Sequence, residues 1–163
     1  MKHEILFRAK RKDNGEWIEG FTLFKPDQHL YMFKTAWGEI TYDLQYNITA
    51  ITGRKEPFFV EVIPETVGQY TGLTDKNGVK IFEGDILKSW RNSLYVVKFG
   101  YFIDDAIAFI LEPDELEEIE PVLGWYCQEV RTNQKFGFYE DMSHLEIISN
   151  IYDNSELLKG ELK

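Results

Sequence analysis

The chain is 163 residues long, with 44% hydrophobic, 15% aromatic and 28% charged residues and a formal net charge of −10, a composition that excludes a disordered tail or a fibre. The absence of an eighteen-residue apolar run argues against a membrane span, and the lone Cys127 cannot close an intrachain disulfide, so a reducing cytoplasm is the expected setting. The acidity is concentrated at one end, since residues 111–163 carry thirteen Asp/Glu against four Lys/Arg, which repels a phosphate backbone and disfavours nucleic acid as a partner.

Ile5, Phe7 and Ala9 alternate with Leu6, Arg8 and Lys10, the period of a half-buried strand. Asp13-Asn14-Gly15 ends it in a turn, and Glu16 to Phe24 returns as the second strand of a hairpin. Arg8, Lys10 and Lys12 share the face opposite Phe7 and Ala9, a solvent-facing basic edge. After a break at Pro26-Asp27, His29 to Lys34 and Glu39 to Leu44 read as a second hairpin about Trp37-Gly38. Tyr46 to Thr52 and Phe58 to Ile63 are β-branched and aromatic strands with a loop at Gly53 to Pro57.

The stretch from Val67 to Lys88 is dense in turn signals. Asn77-Gly78 forces a tight reversal, while Gly72 and Gly84 mark bends or bulges on either side. Ile86 to Trp90 pairs with Leu94 to Phe102 across Arg91-Asn92-Ser93. Ala106 to Leu111 is apolar enough for a further strand. The run Glu112-Pro113-Asp114-Glu115-Leu116-Glu117-Glu118-Ile119-Glu120 follows as a solvated loop or short exposed helix, with the sharper reading of an acidic surface that docks a basic host protein. Gly124 to Val130, Lys135 to Tyr139 and Ile147 to Tyr152 are strands, and Asn154 to Leu158 forms one helical turn capped by Asp153 or Asn154. Many short strands at close spacing imply a mainly β protein, a barrel or a sandwich, with little helix.

No coherent catalytic constellation emerges. Counting from Asp75, Lys80 and Ile86 occupy the positions where a calcium loop needs Gly and Glu. Gly72 and Gly78 lack the phosphate-loop spacing and its Lys-Ser/Thr ending. His3, His29, His144 and Cys127 have no partner at ligand spacing. Glu83 with Asp85, and Asp104 with Asp105, are carboxylate pairs, but a Gly-Asp before an apolar strand ordinarily bonds turn amides. The tyrosines and tryptophans lie mostly in alternating strands, where core packing is their default. The expectation is therefore no metal, no cofactor and no enzymatic activity.

Three motifs resemble the YopX family of phage and prophage proteins. They are Phe7-Arg8-Ala9-Lys10 followed by Asp13-Asn14-Gly15-Glu16-Trp17; Gly68 to Gly78, containing Tyr70, Thr71, Gly72, Leu73, Asp75 and Asn77, continuing through Glu83, Gly84 and Asp85 to Leu87; and Ile148 to Leu158, containing Asn150, Ile151 and Tyr152. Relatives often have a Pro where Ser155 stands, and the region from about 100 to 140 matches only by position. The resemblance implies an N-terminal β-hairpin region (1–65) and a C-terminal roll of the SH3 type (66–163), with the motif residues structural. It supplies no activity. The reading that follows is an interaction or assembly module of a bacterial host's cytoplasm, homo-oligomeric. The alternative is a nucleic-acid-linked role, either direct binding or DNA mimicry by the acidic last third.

Overall fold

The computed structural model describes residues 5–24, 30–33, 41–42, 48–50, 60–107, 110–111, 119–138 and 144–159. It is mainly β. The chain divides into two compact units, Glu4–Gln69 and Tyr70–Lys163, so the division falls inside a strand a few residues beyond the 65/66 boundary expected from sequence.

In the N-terminal unit, β1 (Phe7–Lys10) and β2 (Trp17–Phe24) form the expected hairpin, with Ala9 opposite Ile18. The turn closes through Gly15, whose φ of +72° costs a glycine little and an L side chain much. Ala9 and Val62 are fully buried, with Phe7, Ile18 and Val67 packed on them. The strand face thus holds from Phe7 onward, but Ile5 is 61% exposed and Leu6 is buried, the reverse of the expected alternation. Both residues precede the first ladder pair, so the strand's period of two does not govern them.

β3 (Leu30–Phe33) pairs with β2 on one side and with β6 (Val60–Glu61) on the other. With both edges occupied it cannot also pair with the segment after Trp37-Gly38. The second hairpin is instead β4 (Thr41–Tyr42) with β5 (Ile48–Ala50), which corrects the expected pairing. Trp37-Gly38, Pro26-Asp27 and the loop Gly53 to Pro57 lie outside the described residues. A 3-10 turn at Pro64–Thr66 is tied back to β1 by Thr66, whose Oγ1 accepts from Lys10 N (2.9 Å) and donates to Ile63 O (2.7 Å).

β7 (Gly68–Thr74) gives its first two residues to β1 and pairs onward with β8 (Lys80–Phe82). The C-terminal unit continues with β9 (Asp85–Lys88), β10 (Leu94–Phe102), β11 (Val122–Glu129), β12 (Lys135–Gly137) and β13 (Glu146–Asn150). These last strands form a five-stranded antiparallel sheet in the order β12-β11-β10-β9-β13. The first four form a meander, and β13 returns to pair on the free side of β9. Ile81, Leu87, Val97, Cys127 and Leu145 are the core, with Tyr95, Trp125, Phe138 and Ile147 packed against it.

Of the expected strand Ala106 to Leu111, residues 108–109 lie outside the described residues, and Ala106, Ile107, Ile110 and Leu111 are in turns or a bend, not in a strand. Asp104 Oδ1 accepts from Ala106 N (2.9 Å) and its carbonyl accepts from Ile107 N (3.0 Å), after which Ile110 N bonds Ile107 O (2.9 Å). A side chain that supplies the local acceptor favours a turn over a ladder, whatever the apolar content. The C-terminal 3-10 helix Ser155–Lys159 agrees with the expected helical turn, with the Asn154 carbonyl accepting from Leu157 N (3.2 Å).

Candidate interaction surface

The glycines and carboxylates of the motifs form corners and clamps. Tyr70 pairs with Phe82 and Thr74 with Lys80, leaving extra residues on β7 that are taken up by a bulge containing Gly72 at φ +91°. Thr71 Oγ1 donates across it to Ile81 O (3.0 Å), Leu73 N donates to that hydroxyl (3.2 Å), and the Tyr70 ring lies 5.6 Å from the Phe82 ring. The Asn77-Gly78 reversal follows, with Gly78 at φ +79°.

Asp75, 5% exposed, is the anchor of that turn. Its Oδ1 accepts from Asn77 N (2.8 Å) and Val79 N (2.9 Å), and its Oδ2 from Ile147 N (3.1 Å) and Asn77 Nδ2 (3.4 Å). Burial pushes this carboxyl up, but the converging amides outweigh it and hold the group below the usual carboxylate range. Lys76 N adds a bond to Leu145 O (2.9 Å). The turn is thereby stitched along the outer side of β13.

Glu83 and Asp85, a candidate carboxylate pair, serve separate amides. Asp85, 1% exposed, accepts from Phe82 N (2.8 Å). Glu83 is half-buried and accepts from the backbone of Phe99; burial is the larger influence and raises its pKa. Between them Gly84 donates to Val97 O (2.9 Å) and accepts from Ile151 N (2.9 Å). A Cβ at Gly84, whose φ is +83°, would sit 3.4 Å from the Tyr152 ring. Here the second and third motifs meet, since Asn150 pairs with Asp85. Asn150 Oδ1 then accepts from Tyr152 N (2.9 Å) and Asp153 N (3.0 Å), turning the chain out of the sheet.

Asp104 and Asp105 act on the other edge. Asp104, 2% exposed, accepts from Gly137 N (2.9 Å), and Asp105 accepts from Lys135 N (2.5 Å) while its own amide donates to Lys135 O (2.8 Å). The outer rims of β12 and β13 are thus both occupied by Asp-bearing segments. Occupied edges do not add strands.

His144 is exposed, and His3 and His29 lie outside the described residues. Cys127 is fully buried, and desolvation raises its thiol pKa far above the ordinary value, the opposite of an activated nucleophile. Among the described residues no group of His, Cys, Asp and Glu is arranged to hold a metal ion, and no helix is long and apolar enough to cross a membrane. Of the acidic run Glu112–Glu120, residues 112–118 lie outside the described residues.

The aromatic residues are where core packing fails as a default. Tyr126, Phe82 and Phe102 are buried, but Trp90 is 74%, Tyr101 70% and Phe99 50% exposed. Phe99 faces Trp125 across the strands and Tyr101 faces Leu123, so the four share one face of the β10–β11 ribbon. The Phe99 and Trp125 rings meet edge to face at 5.0 Å. On the reverse face Phe102 and Tyr126 stack, also at 5.0 Å, over the facing glycines Gly100 and Gly124. That side also carries an open hollow of about 250 Å³ lined by Val96, Val130, Ile151 and Leu158, with Lys98 Nζ donating to Gln128 Oε1 (2.6 Å) at its polar end. The signal for the exposed face was present in Val122-Leu123-Gly124-Trp125, where apolar residues fall on both sides of the strand.

A family model described as YopX protein matches residues 6–159. No curated protein matches the chain.

Proposed function

The chain belongs to the YopX family, and from that premise we propose a noncatalytic interaction and assembly module, of phage or prophage origin, that works in the cytoplasm of a bacterial host. The observation carrying this reading is the use of the buried polar groups, three of them within the motifs. Asp75, Asp85, Asp104 and Asn150 are buried and accept from backbone amides, so the residues best suited to chemistry hold loops and edges instead. Buried polar groups satisfied in this way specify a scaffold. The order of the five-stranded sheet, in which β13 returns to pair antiparallel with β9, supports an SH3-type roll, a scaffold on which surface residues set the function.

The experiment is co-expression of a tagged and an untagged copy in a bacterial host, followed by capture with and without nuclease. Recovery of the untagged chain in both conditions is the expected result. Recovery only without nuclease would replace this reading with the nucleic-acid-linked one, and no recovery in either condition would remove self-assembly.

The nucleic-acid-linked reading has one observation in its favour. Arg8 and Lys10 lie 4.8 Å and 5.5 Å from the Trp17 ring centroid, a basic and aromatic cluster of the kind that stacks single strands. A labelled oligonucleotide whose affinity falls steeply with added salt would favour it.

A further inference from the structure

We infer that the exposed face of the β10–β11 ribbon, formed by Phe99, Tyr101, Leu123 and Trp125, is the surface on which a second copy of this chain docks. The inference rests on the assembly reading above and assigns that assembly a place.

Exposure along this face follows a gradient. Val97 and Cys127 are fully buried, Phe99 is 50% exposed, and Tyr101 and Leu123 reach 70% and 56%. The apolar surface is therefore the core's own, running out into solvent. The ladder explains where it emerges: β9 reaches along β10 only to Val96, and β12 along β11 only to Tyr126. Past those ladder pairs the ribbon is followed only by single bonds, Gly84 N to Val97 O, the Phe99 backbone to Glu83 and Phe138 N to Trp125 O, so among the described residues it is two-stranded from Gly100 and Gly124 outward, a marginal arrangement in water.

Self-association by strand addition is disfavoured at both rims of the sheet. Asp75 bonds Ile147 N on β13, and Asp104 and Asp105 bond Gly137 N and Lys135 N on β12. On β11 itself, Pro121, just before the strand, has no amide to donate. The side-chain face needs no free edge of this sheet.

Charge and area both select a second copy as its occupant. Each copy carries a net −10, so two can approach only where the contact is free of charge, and none of the four residues is an acidic or basic type. A basic partner would need carboxylates in that place. Complete burial of one large aromatic removes about 150–250 Å² from water, which at the observed exposures puts about 400 Å² of this face in solvent. Two copies meeting about a two-fold axis, with their rims, bury about 1,000 Å², the lower limit for a specific and reversible dimer.

The test is sedimentation equilibrium of the full chain over a hundredfold concentration range, with Leu123→Glu and Tyr101→Glu as face variants and Trp90→Glu as the control. Trp90 is 74% exposed in the turn after β9, away from the face. A carboxylate at the centre of the contact raises the dimer dissociation constant at least about tenfold. Trp90→Glu leaves it unchanged, and added salt strengthens wild-type association. Each substituted position is exposed, so circular dichroism of the variants matches the wild type. An oligomer that both face variants leave intact overturns the placement but not the assembly reading. A wild-type chain that stays monomeric throughout overturns both.

Discussion

Replacing Asp75 by Ala removes the clamp between the Asn77-Gly78 turn and β13, and the loss can be built up from its bonds. A hydrogen bond to a charged acceptor is worth about 1.5–3 kcal/mol when its donor is left dry, and less when water can replace the acceptor. Asn77 and Val79 are exposed, so their amides recover most of the loss from water, whereas Ile147 is half-buried and its amide, 3.1 Å from Oδ2, does not. Together these give about 3 kcal/mol, a large fraction of a typical domain's stability. With a urea dependence of about 2 kcal/mol per molar, the midpoint for the C-terminal unit falls by about 1.5 M. Asp75→Asn does nearly as badly, because its amide nitrogen must face one of the donors the carboxylate accepted.

The pH dependence has a definite sign. The folded carboxyl titrates below its unfolded value, so its contribution is complete above about pH 4 and is lost as pH falls through the folded pKa. The gap between wild type and Asp75→Ala therefore closes in acid. The assays are urea unfolding from pH 7 to pH 3 and native-state hydrogen exchange at the Ile147 amide. A loss under about 1 kcal/mol at pH 7, or undiminished protection at Ile147 in the Ala variant, would refute the clamp.

Three further outcomes are expected. Gly84→Ala, which combines a φ of +83° with a Cβ 3.4 Å from the Tyr152 ring, costs more than Gly78→Ala, where the φ is +79° but nothing lies within 4 Å; the difference, on top of about 1 kcal/mol for the left-handed backbone alone, is read by thermal melts of the pair. Asp104→Ala leaves the Gly137 and Ala106 amides without their side-chain acceptor and uncovers the β12 edge, so it destabilises by about 2–4 kcal/mol and raises light scattering on mild heating. Cys127, buried with its thiol pKa raised by desolvation, reacts with a thiol reagent only as fast as the C-terminal unit opens; a rapid stoichiometric reaction with the native protein would contradict its burial.

Local pattern determined a large part of this protein. Asn14-Gly15 and Asn77-Gly78 supply residues that tolerate positive φ, so both reversals were legible, as was Gly72, whose φ of +91° lets β7 carry its bulge. Leu94 to Phe102 was readable as a strand from its β-branched and aromatic content alone. That the Asp85 side chain would take a turn amide was likewise visible in Gly84-Asp85, because an Asp beside a turn has amides within reach, and it accepts from Phe82 N.

Tertiary structure decided everything that depends on which strand lies alongside. Ala106 and Ile107 are apolar yet lie in a turn, because the Asp104 side chain and carbonyl accept from their amides. β3 pairs with β2 and β6, a choice among edges that no strand's own period encodes. Asp75 reaches Ile147 across seventy-two residues of sequence, a closure that spacing cannot announce. The face of Phe99, Tyr101, Leu123 and Trp125 was only partly legible, for the same reason. A period of two assigns residues to one side of a strand, but whether that side is dry depends on how far the adjacent strands extend, and β9 and β12 stop short.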